Sequence, residues 1–205
     1  MGFHFGKNRS NDLSWLNDRE PVSFKKLQAV GSWVLLVTVS VFLAAVLCFS
    51  LGYRATAQDA SMEPQILEGQ QVLVNRLAYR LSSPERGDVV ALYPGGDDTL
   101  DPLFLRVVAI PGETVEIMDG ELLINGVPSG TSAGYDAMED AGIAARQITL
   151  GNDEYFLLGD NRNDSLDSRD PYLGVVRESN IFGRVWLALP SGGGTLHRVR
   201  SSTRR

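Results

Sequence analysis

The sequence predicts a mainly β domain that follows a single N-terminal membrane helix. Two observations lead to this prediction: residues 29–51 carry no charge, and a series of short β-branched runs separated by turn residues follows them. A single cysteine among 205 residues excludes an intramolecular disulfide framework. The hydrophobic share of 43% and the charged share of 21% are those of a folded chain rather than a disordered one. A net charge of −6 without a clustered basic face argues against a nucleic-acid-binding protein.

The uncharged segment is long enough to cross a membrane, because a helix rises 1.5 Å per residue and a hydrocarbon core is about 30 Å thick. The sequence Ala55-Thr56-Ala57 has the form of a signal-peptide cleavage site. The apolar segment before it is much longer than the roughly 7–15 residues of a signal peptide. We therefore expect an uncleaved transmembrane anchor at residues 29–52.

The distribution of basic residues predicts the orientation of this anchor. Five basic residues precede the apolar segment, whereas the twenty residues after it contain only Arg54. The positive-inside rule then predicts a single-pass plasma-membrane protein with residues 1–28 in the cytoplasm and an extracytoplasmic domain at residues 53–190. Residues 53–196 carry 10 basic and 22 acidic residues. Residues 191–205 begin with Ser-Gly-Gly-Gly and contain four arginines, so we expect a flexible basic tail, for which a contact with membrane lipid is the less favoured alternative to a solvated segment.

The exported region has the pattern of an all-β domain. Turn formers such as Pro111-Gly112, Asp119-Gly120 and Asn125-Gly126 separate the apolar runs, which favours a sheet sandwich or a partly open barrel. The predicted strands lie at residues 71–74, 88–92, 103–110, 114–117, 121–124, 154–158 and 181–188. The Gly/Ala/Asp-rich residues 129–146 are expected to form an insertion or a short helix.

Five motifs occur in a fixed order after the predicted anchor. They are Ser61-Met62-Glu63-Pro64, Val72-Leu73-Val74-Asn75-Arg76, Arg86-Gly87-Asp88-Val89-Val90, Arg106-Val107-Val108 with Pro111-Gly112, and Gly159-Asp160-Asn161-Arg162 through Asp167-Ser168-Arg169. Alone, the last run is typical of a loop of Asx turns. Together, over roughly residues 25–188, the motifs resemble the type I signal peptidase family. This resemblance implies an antiparallel β-sheet domain on one transmembrane helix and an outward-facing serine endopeptidase. Such an enzyme removes signal peptides from exported precursors after a small-x-small sequence.

The resemblance also implies roles for individual residues. Ser61 matches the nucleophile, and Ser165 matches the hydroxyl that orients the general-base lysine. Asp160, Asp167 and Arg169 would brace the site, the last two as an ion pair.

Leu105 occupies the position of the general base, and its side chain cannot accept a proton. All three lysines, Lys7, Lys25 and Lys26, precede the membrane segment, so no lysine of this chain is expected on the exported side. Arg106 stays protonated and points to the opposite face of its strand. His4 lies on the cytoplasmic side, and His197 lies in the tail. The usual Ser/Lys pair is therefore incomplete.

Asp59 is a second departure from the family pattern, which has serine or glycine two residues before the nucleophile, next to the oxyanion hole. A carboxylate there would repel a developing oxyanion, although a buried carboxylate can also act as an alternative base.

Two functions remain open on the sequence. The first is a signal peptidase that acts with an unconventional base or with a base from a partner. The second is a non-catalytic homologue that binds exported or pilin-type proteins for pilus or secretion machinery. A receptor or scaffold is a more distant third. Signal-peptide-bearing proteins are the expected partners, and we expect no cofactor, metal or nucleic acid.

Overall fold

The computed structural model describes Gly2 and residues 24–129, 134–190 and 197–200. Its contacts divide into two units, residues 1–45 and residues 46–205. The first unit contains most of helix α1, Phe24–Leu51. Within α1, Gln28–Leu47 has a mean hydropathy of 2.4 and is long enough to cross a membrane. Two of its hydroxyl groups bond within the helix: Ser32 donates to the Ala29 carbonyl at 2.9 Å and Thr38 donates to the Val34 carbonyl at 2.8 Å.

The second unit is a β domain built on one large antiparallel sheet, which confirms the predicted fold class. The order of its strands is β1-β2-β11-β3-β4-β9-β10, and β12 pairs with β11. The bounds are β1 Tyr53–Thr56, β2 Gln71–Asn75, β3 Val89–Leu92, β4 Leu103–Ala109, β9 Glu154–Leu158, β10 Val176–Arg177, β11 Ile181–Ala188 and β12 His197–Arg198. A short helix α2, Ala78–Leu81, follows β2.

A smaller antiparallel sheet has the order β7-β6-β5-β8. Its strands are β5 Thr114–Met118, β6 Glu121–Ile124, β7 Val127–Pro128 and β8 Ile148–Thr149. The two-residue turn between β5 and β6 has positive φ at both Asp119 (51°) and Gly120 (78°). This is the hairpin geometry for which an Asp-Gly pair is favoured. Within the predicted insertion at residues 129–146, the regular structure in the described residues is one 3-10 turn at Gly142–Ala145.

Strand β4 is covered on both faces. Phe104 packs with Ala57 and Met62 in one apolar cluster. Leu105 faces the other way and packs in a second cluster with Val90 and Leu157 and their neighbours. Because successive side chains of a strand point to opposite faces, this arrangement places Leu105 and Arg106 on different sides of the sheet.

The alanines of the sequence that resembles a cleavage site are built into the sheet. Ala55 pairs with Val72 across β1 and β2 and is buried. The backbone of Ala57 donates to the Gln70 carbonyl at 2.9 Å and accepts from the Gly69 amide at 2.8 Å. Both alanines are therefore part of the folded β domain.

The prediction of a flexible tail is wrong for residues 197–200. His197 pairs with Ala188 and Arg198 with Leu187. Val199 is buried in the same cluster as Phe104 and donates its amide to the Trp186 carbonyl at 3.1 Å. An alternation of exposed arginines around one buried valine is a strand pattern, although it is too short to stand out in the sequence. The rest of residues 191–205 lies outside the described part of the chain.

Candidate active site

Ser61 lies in a buried segment after β1 and is held against two other elements. Its hydroxyl lies 3.4 Å from the carbonyl of Phe104 on β4. Its own carbonyl accepts a hydrogen bond of 2.9 Å from the Asn161 amide, and the Asn161 side chain donates to the Ala60 carbonyl at 3.3 Å. The segment at residues 159–169 therefore contacts the serine directly, through Asn161.

Gly159 lies at the centre of this arrangement. A Cβ atom on Gly159 would lie 2.3 Å from the Ser165 hydroxyl and 2.6 Å from the Ser61 carbonyl oxygen. In the pairing of β4 with β9, Arg106 is opposite Leu158. The next position in this antiparallel register places Gly159 opposite Leu105. Opposite residues direct their Cβ atoms to the same face, about 5 Å apart. The Leu105 side chain, the Ser165 hydroxyl and the Ser61 carbonyl therefore share one face of the sheet.

Leu105, opposite Gly159, is fully buried, and its hydrocarbon side chain cannot accept a proton. The Ser165 hydroxyl is buried without a hydrogen-bond partner among the described residues. Unpartnered buried hydroxyls are uncommon because they forfeit their interaction with water. A lysine ammonium or amine would satisfy this hydroxyl, whereas leucine cannot.

Asp59 interacts with both hydrogen-bond donors of Ser61. Its Oδ1 accepts from the Ser61 amide at 3.1 Å and also from the Ser61 hydroxyl. The backbone amide of a nucleophilic serine is a common donor to a developing oxyanion. In this structure Asp59 Oδ1 already accepts a hydrogen bond from that amide. The carboxylate charge therefore lies where the charge of an oxyanion would have to develop.

Asp167 and Arg169, near the end of the same loop, form an ion pair in which Arg169 Nη2 lies 2.9 Å from Asp167 Oδ2. The Asp167 Oδ2 also accepts from the Gly159 amide at 3.2 Å, and the Arg169 guanidinium donates to the Arg162 carbonyl. The pair therefore fixes the backbone at Gly159, whose close approach to Ser61 and Ser165 leaves no room for a side chain.

Asp160 is paired with Arg106 on the other side of β4. The Arg106 Nε lies 2.6 Å from Asp160 Oδ1, and its Nη2 lies 2.6 Å from Oδ2. Burial alone would lower the pKa of Arg106, but the hydrogen bonds and charge of Asp160 outweigh it, so the pKa is raised and Arg106 remains a cation. Arg106 cannot act as a base for Ser61.

Sequence reasoning missed two partners of this buried cation. The Gln65 side chain accepts from Arg106, and the Arg200 carbonyl accepts from Arg106 Nη1 at 2.9 Å. The available signal was Arg106 itself: a charged residue inside a predicted buried strand needs several partners. Nothing in the sequence indicated that one of them would come from the tail.

Comparisons with known proteins identify the family of this chain. The family model described as "Signal peptidase, peptidase S26" matches residues 30–189. The chain belongs to this signal peptidase family. Signal peptidase I V of Bacillus subtilis (strain 168) is 33% identical over 166 residues, which cover 75% of this chain and 95% of that relative. Signal peptidase I of Leptolyngbya laminosa is 31% identical over 148 residues, 66% of this chain and 70% of that relative.

A crystal structure of a signal peptidase I from Enterococcus faecalis V583 is 29% identical, with a TM-score of 0.37, and covers 50% of this chain and 97% of that one. Family membership supports a signal-peptidase-type function.

Proposed function

We propose that this chain is a membrane-anchored, outward-facing signal-peptidase homologue that binds the signal-peptide region of exported proteins without cutting them by serine–lysine chemistry. The observation that carries the proposal is the contact of Asp59 Oδ1 with both the amide and the hydroxyl of Ser61. The outward orientation is supported by the five basic residues that precede the uncharged segment at residues 29–51.

Two separate contributions to catalysis are affected in this site. A positioned general base contributes about 10²–10⁴-fold in rate. One oxyanion donor contributes about 10²–10³-fold. Leu105 removes the first contribution and Asp59 blocks the second, so the combined loss is on the order of 10⁴–10⁷-fold. A site with such a loss retains its shape and its ability to bind while turning over negligibly.

Strand β1 supports binding by an extended peptide. In the described part of the chain β1 pairs only with β2, so its other edge has no partner strand. An extended peptide can add to such an edge through main-chain hydrogen bonds. Because β1 ends at Thr56, five residues before Ser61, a peptide paired with it would run towards the serine. The bound client would be an exported precursor or a pilin-type subunit, held for secretion or pilus machinery.

The test uses the full-length protein in detergent with a precursor that carries an Ala-x-Ala site. We expect the parent protein and Ser61→Ala to bind the precursor equally and to release no cleaved product. The double variant Leu105→Lys/Asp59→Ser should gain cleavage, because a lysine opposite Gly159 is desolvated and its pKa falls towards that of a base. Leu103→Lys/Asp59→Ser is the matched control. Residue 103 lies on the same face of β4 as Leu105 but is two positions away along the strand, so it is not opposite Gly159. Cleavage by the parent that is abolished in Ser61→Ala would refute the proposal.

One observation favours a second candidate, a slow peptidase in which Asp59 is the base. The Ser61 hydroxyl already donates to the Asp59 carboxylate, as a nucleophile donates to its base. In that case Asp59→Asn would abolish a cleavage that the parent performs. If the non-cleaving function is correct, Asp59→Asn leaves the binding of the precursor unchanged and the cleavage undetectable.

A further inference from the structure

A groove of about 590 Å³ lies on the large sheet where β11, β12 and the segment after β2 meet. Its described lining contains three arginines, one tryptophan and no carboxylate: Arg184 and Trp186 from β11, Arg198 and Arg200 from the C-terminal segment, and Asn75 beside α2. We call it the arginine groove. It is separate from Ser61 and takes no part in the function proposed above.

The arrangement of the strands explains why these side chains share one face. Arg198 and Arg200 alternate with Val199, which is buried in the core on the opposite face. On β11, Val185 points into the same core, and the register shifts between Val185 and Leu187. Such a bulge re-aims a side chain, and Trp186 projects outward with 40% of its surface exposed.

The backbone that carries Arg198 and Arg200 is held by contacts with the rest of the β domain. Arg106, fully buried, donates to the Arg200 carbonyl at 2.9 Å, and the His197 ring contacts the Gln65 carbonyl at 2.9 Å. The main-chain pairing of Arg198 with Leu187 holds the beginning of the same segment, residues 197–200. Two long cationic side chains are thus presented from a rigid strand, which reduces the entropy lost when they bind an anion.

The charge of the groove contrasts with that of the domain around it. Residues 53–196 carry 22 acidic and 10 basic residues. Arg184 is partly neutralised by Asp88, with Nη2 2.8 Å from Oδ1. Within the described residues, the guanidinium groups of Arg198 and Arg200 form no ion pair. Two neighbouring arginines without an ion-pair partner among the described residues are suited to bind an anionic ligand.

We propose that the arginine groove binds the phosphodiester headgroup of an anionic phospholipid. Two features favour a lipid over a soluble anion. The chain passes from the apolar helix at Leu51 to β1 at Tyr53, and β11 is the second neighbour of β1, about 10 Å across the sheet. Trp186 at the rim has the apolar body and polar N–H that suit the interface between headgroups and acyl chains.

The experiment uses the full-length chain with Trp15→Phe and Trp33→Phe, so that Trp186 is the remaining tryptophan. The protein is held in uncharged detergent and titrated with dihexanoyl-phosphatidylglycerol while the Trp186 emission is followed. Dihexanoyl-phosphatidylcholine, inorganic phosphate and an oligo-glutamate peptide are titrated in parallel. The test variant is Arg198→Gln/Arg200→Gln. The matched control is Arg146→Gln/Arg177→Gln, which removes the same charge from exposed positions elsewhere.

We expect phosphatidylglycerol to bind at least tenfold more tightly than phosphatidylcholine. The test variant should weaken this binding by about 30-fold, since each basic residue near anionic lipid contributes about fivefold. The control variant should bind as the parent does.

Equal binding of the two lipids, or equal weakening in the control, would overturn the proposal. Binding of inorganic phosphate or of the acidic peptide as tight as that of phosphatidylglycerol would also overturn it, because the groove would then be a site for a soluble anion or for a protein. Thermal unfolding of each variant distinguishes lost binding from lost folding.

Discussion

The ion pair between Arg106 and Asp160 offers the clearest test of how the loop at residues 159–169 is held to the sheet. The side chains of Arg106 and Asp160 are 1% and 2% exposed, and two hydrogen bonds of 2.6 Å join them. In Asp160→Asn the Arg106 cation stays buried, and the new amide nitrogen is a donor that faces the Nη2 donor. Breaking a buried pair by removing one partner costs about 3–5 kcal/mol.

For a domain of this size, 1 kcal/mol corresponds to about 2–4 °C in the unfolding midpoint. We therefore expect Asp160→Asn to lower the midpoint of the β domain by about 10 °C, measured by near-ultraviolet circular dichroism on the full-length chain in detergent. Asp164→Asn is the matched control, because Asp164 belongs to the same loop and is exposed. A midpoint in Asp160→Asn within about 2 °C of the control would refute the role given to this pair.

Two further predictions concern the contacts of Gly159. Gly159→Ala should destabilise the domain by about 1–3 kcal/mol, because the added methyl group would overlap Ser165 and Ser61; the same thermal measurement checks this, and an unchanged midpoint would contradict the close packing. Ser165→Ala should leave stability unchanged or raise it by about 1 kcal/mol, because it removes a buried hydroxyl without a partner. A lower midpoint in Ser165→Ala would show instead that the hydroxyl has a stabilising contact.

Much of the fold could be predicted from the sequence, and the reasons are local. A helix that is uncharged for more than 20 residues and a hairpin with Asp-Gly at its turn are specified by the residues that form them. The path of residues 197–200 is different. Its strand depends on pairing with the end of β11 and on a hydrogen bond from the buried Arg106, which is distant in sequence, so the short alternation at residues 197–200 could not predict it.

The candidate site shows the same division. The resemblance to the signal peptidase family predicted Ser61, Ser165 and the residues of the loop that contacts them, because those motifs are contiguous in the sequence. It also predicts that Leu105 occupies the position of the general-base lysine. The sequence leaves two roles open for Asp59, repulsion of an oxyanion and service as a base. The geometry adds that one carboxylate oxygen accepts from both the amide and the hydroxyl of Ser61, which requires a turn that the sequence alone did not specify.

In the proposed function, Leu105 and Asp59 act together on one serine. Leu105 places a fully buried hydrocarbon side chain opposite Gly159, and the Ser165 hydroxyl has no hydrogen-bond partner in the part of the chain that the structure describes. The Asp59 carboxylate accepts from the Ser61 amide, which would otherwise donate to the oxyanion formed when a serine attacks a peptide carbonyl. Restoring only one of these positions should therefore restore little activity, since the other loss would still reduce the rate by at least about 10²-fold.

The most direct measurement of the central claim is the reactivity of Ser61 towards a fluorophosphonate, a probe that forms a covalent bond only with an activated serine. Intact-mass spectrometry of the full-length parent protein should show no adduct, whereas Leu105→Lys/Asp59→Ser should carry one adduct that maps to Ser61. An adduct on the parent that is absent from Ser61→Ala would show that the serine is activated without a lysine and would contradict the non-cleaving function.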